Sequence, residues 1–115
     1  MKPTISGYMA LPGLKFNVQF AGHKNPDRII SAVCEFLYVT RRQLEQKTRK
    51  RYIVEARQIA MYLIRKHSSK SMQHIGSIFG GRDHTTAIHS IQVVNDLCDS
   101  NEQYKQRLLQ IENLL

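Results

Sequence analysis

Five consecutive residues, Arg82-Asp83-His84-Thr85-Thr86, bring together a guanidinium, a carboxylate, an imidazole and two hydroxyls that each carry a methyl. In the first turn of a helix these groups suit the edges of DNA bases. An imidazole or hydroxyl hydrogen-bonds a base edge or a phosphate, and a threonine methyl packs against the methyl of thymine. Free amides at the helix start add capacity for an anion. Asp83 also reads as a helix cap. Gly80-Gly81 just before it reads as a sharp turn, and Met72–Phe79 before that as a short helix capped by Ser71. Short helix, tight turn and longer helix form the helix-turn-helix pattern, whose second helix presents its N-terminal residues in the major groove. The plainer reading is a glycine-linked helix pair in which the threonines are caps and His84 is a surface residue. His84 and His89 lie five apart, a poor spacing for a shared ligand face.

The elements around this run carry an uneven charge. The chain has 115 residues, 17 basic and 9 acidic, and a formal net charge of +8. Ten basic residues fall between Arg41 and Lys70, opposed only by Glu45 and Glu55, a surplus that equals the net charge of the whole chain. From Asp83 to Leu115 five acidic residues face Lys105 and Arg107. A polyanionic partner accounts for this asymmetry. A solvated basic face is the bland alternative.

Helical periodicity begins at Asn25-Pro26, a cap followed by a proline suited to the first turn. Ile29, Ile30, Val33, Phe36 and Leu37 form its apolar stripe. Thr40 is placed to cap a short helix, Arg41 to Glu45, with Leu44 inward. Lys47 to Tyr52 lacks periodicity and reads as a basic loop. A third helix is expected from about Val54 to Lys66, a fourth from Met72 to Phe79, and a fifth from Asp83 or Thr85 to about Cys98. The sixth, from about Glu102 to Leu115, aligns Tyr104, Leu108, Ile111 and Leu115. Met1 to Lys24 is an arm or linker ahead of a helical domain, residues 25–115. Within it, Lys15 to Phe20 alternates like a strand with no visible partner. The fold expected is all-α, about six helices that include the helix-turn-helix.

Several chemistries are excluded as expectations. No apolar run is long enough for a membrane span, and no signal peptide is evident. Cys34 and Cys98 match no metal spacing and read as reduced thiols. His23, His67 and His74 join no Cys/His cluster, so no metal is expected. No nucleophile–base pair or paired carboxylate set is present. Asp96 and Asp99 read as a solvated helix end. The stretch Gly7 to Gly22 lacks a Gly-x-x-x-x-Gly-Lys-Ser/Thr phosphate loop, so no ATP chemistry and no cofactor are expected.

Phe79-Gly80-Gly81, the Arg82-to-Thr86 run and Ala87-Ile88-His89 together resemble the signature of the C-terminal DNA-binding domain of DnaA, the bacterial chromosomal replication initiator family. Ala56-Arg57-Gln58-Ile59-Ala60-Met61-Tyr62-Leu63 resembles an upstream stretch of the same domain, and the spacing through Ser71 and Ile75-Gly76 fits. The resemblance runs from about Pro26 to Leu115. It implies a Trp-repressor-like helical domain that reads a short duplex element, the initiator box. His84, Thr85 and Thr86, with Asp83, fall on its major-groove contacts, and Arg49 falls on a basic-loop arginine that enters the minor groove. Lys47, Lys50, Arg51, Arg57, Gln58, Arg65 and Arg82 fall on positions at or near the DNA backbone. Two departures stand out: Glu55-Ala56 replaces a basic residue and proline, and Met72-Gln73-His74 replaces Leu-Pro-Glu. Glu55 near phosphate costs affinity unless it turns away or pairs with a local arginine.

The expected activity is therefore sequence-specific double-stranded DNA binding by a monomer, without enzymatic activity, in the cytoplasm on the nucleoid. Competition or cooperation with a full-length initiator follows from retained base-reading residues without an ATPase. Two other classes stay open: non-specific nucleic-acid binding by the basic patch, and a protein-interaction module that uses the acidic last third.

Overall fold

The computed structural model describes residues 8–10, 17–19 and 23–115, the first two stretches as backbone alone. Strands β1 (Tyr8–Ala10) and β2 (Asn17–Gln19) pair antiparallel with Met9 opposite Val18. The alternation expected around Asn17 to Gln19 thus has a partner centred nine residues upstream, and the helical fold gains a two-stranded ribbon. The remainder is helical, in six helices among the described residues.

Helix α1 (Pro26–Leu37) starts where the Asn25 side chain accepts the Asp27 amide. It stops at Tyr38, whose φ of 57° is left-handed. Its stripe buries Ile29, Ile30, Ala32 and Val33. Helix α2 (Arg41–Glu45) begins with a full capping box: Thr40 Oγ1 accepts the Gln43 amide, and Gln43 Oε1 accepts the Thr40 amide. A five-residue helix has no reserve of internal hydrogen bonds, so the cap decides whether it forms. Thr40→Ala is expected to lower unfolding stability by about 1 kcal/mol. A urea midpoint that does not move would show the box to be dispensable.

Helix α3 (Arg51–His67) is the central post, in contact with α1, α2, α4 (Met72–Ile78) and α5 (His84–Ser100). It buries Ile53, Ala56, Ile59, Ala60, Met61, Leu63 and Ile64 on more than one side. The helix begins at Arg51, three residues before the expected Val54. Its first turn is basic, and Arg51 Nε reaches Glu55 at 3.4 Å, an i,i+4 pair. Helix α6 (Glu102–Glu112), capped by Asn101, closes the core with Leu108 and Ile111. Glu112, with its side chain 12% exposed, receives Lys66 Nζ at 2.9 Å and His67 Nε2 at 2.7 Å. Burial raises the Glu112 pKa, but hydrogen bonds from His67 and Lys66 outweigh it and hold the carboxyl below its ordinary value. His67, unassigned in the sequence reading, therefore ties the end of α3 to the end of the chain.

Candidate nucleic-acid interface

The turn between α4 and α5 depends on three glycines, two within it and one in α4. Gly80 and Gly81 have φ of +79° and +72°, a region closed to most side chains. Gly76, inside α4, accepts the Arg82 amide at its carbonyl at 2.8 Å. A Cβ on Gly76 would collide with the Arg82 carbonyl, so the two backbones meet where no side chain fits. Phe79 is 1% exposed and fills the space beneath the turn.

Asp83 caps α5. Its carboxylate accepts the Thr85 amide at 3.2 Å through Oδ1 and the Thr85 hydroxyl at 2.8 Å through Oδ2. His84 Nδ1 lies 3.1 Å from Oδ1. The bond from the Thr85 hydroxyl, with the Thr85 amide next, holds the Asp83 carboxyl below its usual 3.8. The cap is therefore fully formed above that usual value and fades only as pH falls through the lower folded one. The Thr85 amide resonance should titrate with a midpoint below 3.8. A midpoint at or above it would mean that the cap is open in solution.

These bonds leave His84, Thr85 and Thr86 exposed on the first turn of α5, while Ala87, Ser90, Ile91 and Val94 face inward. The Thr85 hydroxyl proton is committed to Asp83, so Thr85 offers its methyl and an oxygen lone pair. Asp83 is itself exposed, with both carboxylate oxygens engaged within the turn.

The basic loop supplies a second exposed element. Lys47, Arg49 and Lys50 are exposed, as is Arg51 at the start of α3. Arg49, Arg51 and Gln58 line one groove of about 400 Å³, with Val54, Glu55, Val93 and Leu97. Glu55 sits in the same groove, paired with Arg51, so the carboxylate that departs from the family pattern is partnered locally. Tyr52 is 52% exposed on the first turn of α3.

Three arginines named from sequence are placed differently. Arg57 is 6% exposed; its Nε donates to the Leu44 carbonyl at 2.7 Å and its Nη2 to the Gln46 carbonyl at 2.8 Å. Arg65 is 5% exposed and donates to the Lys70 carbonyl at 2.8 Å. Arg82 donates to the carbonyls of Phe79 and Gln46, the latter at 2.9 Å. The structure covers the guanidinium groups of Arg57 and Arg65 and ties that of Arg82, half-buried, to two carbonyls. Burial, and for Arg57 also the Arg82 charge, lowers their pKa values from the usual one. The signal that would have separated them from the loop arginines is helical phase: Arg57 and Arg65 lie in stretches of α3 whose neighbours are almost all core.

Among the described residues no group of three or more His, Cys, Asp or Glu is arranged to hold a metal. No described helix is long and apolar enough to cross a membrane. Cys34 and Cys98 are free thiols, both partly buried.

Comparison with known proteins places this geometry. Residues 26–94 match the family described as the bacterial DnaA protein helix-turn-helix. The chromosomal replication initiator protein DnaA of Bacteroides fragilis is 37% identical over 89 residues, 77% of this chain and 19% of that protein. That of a Picosynechococcus species is 40% identical over 88 residues, 76% of this chain and 20% of the relative. That of Lacticaseibacillus casei is 35% identical over 106 residues, 92% of this chain and 23% of the relative. The chain thus spans about a fifth of the length of these relatives. The matched region takes in the capped helices, the glycine turn and the exposed start of α5: the chain belongs to the bacterial DnaA helix-turn-helix family.

Proposed function

We propose that this chain binds double-stranded DNA sequence-specifically at initiator-box-like sites, as a monomer and without ATP chemistry of its own. The observation that carries this reading is that two exposed elements lie side by side: Arg82, one residue before the α5 cap, bonds the carbonyl of Gln46, one residue before the basic loop. The finer assignment is a Trp-repressor-like domain over residues 25–115 with residues 1–24 as an arm. His84, Thr85 and Thr86 test base edges in the major groove, with Asp83 fixing the turn that presents them. Arg49 enters the adjacent minor groove, where narrow A·T-rich shape favours arginine. Lys47, Lys50 and Arg51 meet phosphates. Gln58, on the rim of the same groove, adds a neutral donor.

Fluorescence anisotropy on a duplex bearing an initiator box and on a scrambled duplex of equal length tests the reading. Wild type should prefer the box. Thr86→Ala and Arg49→Ala should each weaken box binding by about 1–3 kcal/mol and leave scrambled binding nearly unchanged. Equal binding to both duplexes, indifferent to Thr86→Ala, would reduce the activity to that of a basic patch.

A further inference from the structure

We propose that Arg57 and Arg82 are positioning residues that fix the register between the basic loop and the start of α5 by converging on the main-chain carbonyl of Gln46. The inference rests on the DNA-binding reading above and gives these arginines a task other than phosphate contact.

Helix α2 ends at Glu45; the Gln46 amide bonds the Gln43 carbonyl, and the carbonyls after it need donors from outside so short a helix. Arg57, from the central post α3, supplies two donors there, to Leu44 and Gln46. Arg82, one residue before the α5 cap, supplies a third to the same Gln46 oxygen and a fourth to Phe79 at the end of α4. A carbonyl oxygen has two lone pairs, so the two guanidinium groups saturate it. Each guanidinium is a rigid planar fork, which turns the cluster into a strut rather than a tether. The backbones also touch at this point: a Cβ on Gly80 would collide with the Glu45 carbonyl.

Lys47 follows Gln46 directly, so the root of the basic loop is pinned to the turn that presents His84, Thr85 and Thr86. A protein that inserts Arg49 in one groove and α5 in the next must hold their separation to better than one base step, about 3.4 Å. The arrangement sets two cations side by side against carbonyls, with Arg57 almost wholly covered. Arginines placed for phosphates would keep their donors open to the surface, as the loop cations do.

The test uses the full chain and a randomised duplex library from which it selects its own site. Arg49→Ala and Thr86→Ala assign positions of the selected motif to the loop and to α5. One base pair is then inserted between the two sets. Wild type should lose about tenfold or more in affinity on the inserted duplex. Arg82→Lys and Arg57→Lys keep the charge without the fork. Each should show a spacing penalty below about threefold, with a salt dependence like that of wild type. Should either variant fail to give a folded circular dichroism spectrum, an ester in place of the Gln46–Lys47 amide weakens the one acceptor and leaves all side chains in place. It should relax spacing in the same way. A spacing penalty as large as that of wild type, in the folded lysine variants or the ester, overturns the proposal and leaves DNA reading intact. A selection that enriches no motif overturns the DNA reading and this inference with it.

Discussion

Gly76→Ala should destabilise the fold by about 3 kcal/mol, the upper part of the range for overpacking a close contact. A typical domain has about 5–15 kcal/mol in all, so much of the margin is lost. The added methyl meets the Arg82 carbonyl, and two further backbone atoms, the Arg82 carbonyl carbon and the Asp83 oxygen, lie within 3.1 Å. A flexible side chain would swing away. A backbone carbonyl moves only with its segment, and this one sits between the Arg82 amide, bonded to the Gly76 carbonyl, and the cap of α5. Relief requires α4 and α5 to separate, which uncovers Phe79, Ile75 and Ile91, all at most 1% exposed. Urea unfolding should therefore show a lower midpoint with an unchanged slope. The same variant should lose box preference when it is folded, because the start of α5 moves with the turn. A midpoint within about 0.5 kcal/mol of wild type would show that the turn tolerates a side chain, and the close backbone approach would not be what defines the motif.

The helix starts were legible because caps are local. Asn25, Thr40, Ser71 and Asp83 each accept an amide two or three residues ahead, so type and spacing suffice to place them. The start of α3 was not legible for the complementary reason. Lys50 offers no side-chain cap and Arg51 and Tyr52 are exposed, so the apolar phase begins only at Ile53, inside the first turn. The exposed half of the site, Asp83 to Thr86 and the loop, followed from residue type and charge. The covered half did not. Arg57 reaches a carbonyl 13 residues away, Arg82 one 36 away, and His67 a carboxylate 45 away. Counting charge along the sequence treats all ten cations between Arg41 and Lys70 alike. Folding spends Arg57 and Arg65 on carbonyls and Arg41 on Asp27 and Glu45.

That division sets the salt dependence. A cation lowers affinity on salt addition only if it displaces counterions from a phosphate it meets. Three exposed cations are assigned to phosphates, Lys47 and Lys50 in the loop and Arg51 at the start of α3. Arg51 shares its charge with Glu55 at 3.4 Å, so two to three is the effective number. At a slope of roughly 0.9 per phosphate contact, two to three contacts should weaken binding about 12- to 40-fold between about 50 and 200 mM salt. If all ten cations served phosphates, the loss would exceed about 10⁵-fold. Lys47→Ala should make the slope shallower by about one. Arg65→Gln should lower the unfolding midpoint and leave the slope almost unchanged, since a guanidinium 5% exposed and bonded to the Lys70 carbonyl adds to the potential without meeting a phosphate. Anisotropy titrations at four salt concentrations separate the two kinds of arginine. Equal slope changes for Lys47→Ala and Arg65→Gln would mean that the buried side chain swings out on DNA, and the exposed loop would no longer account for the attraction.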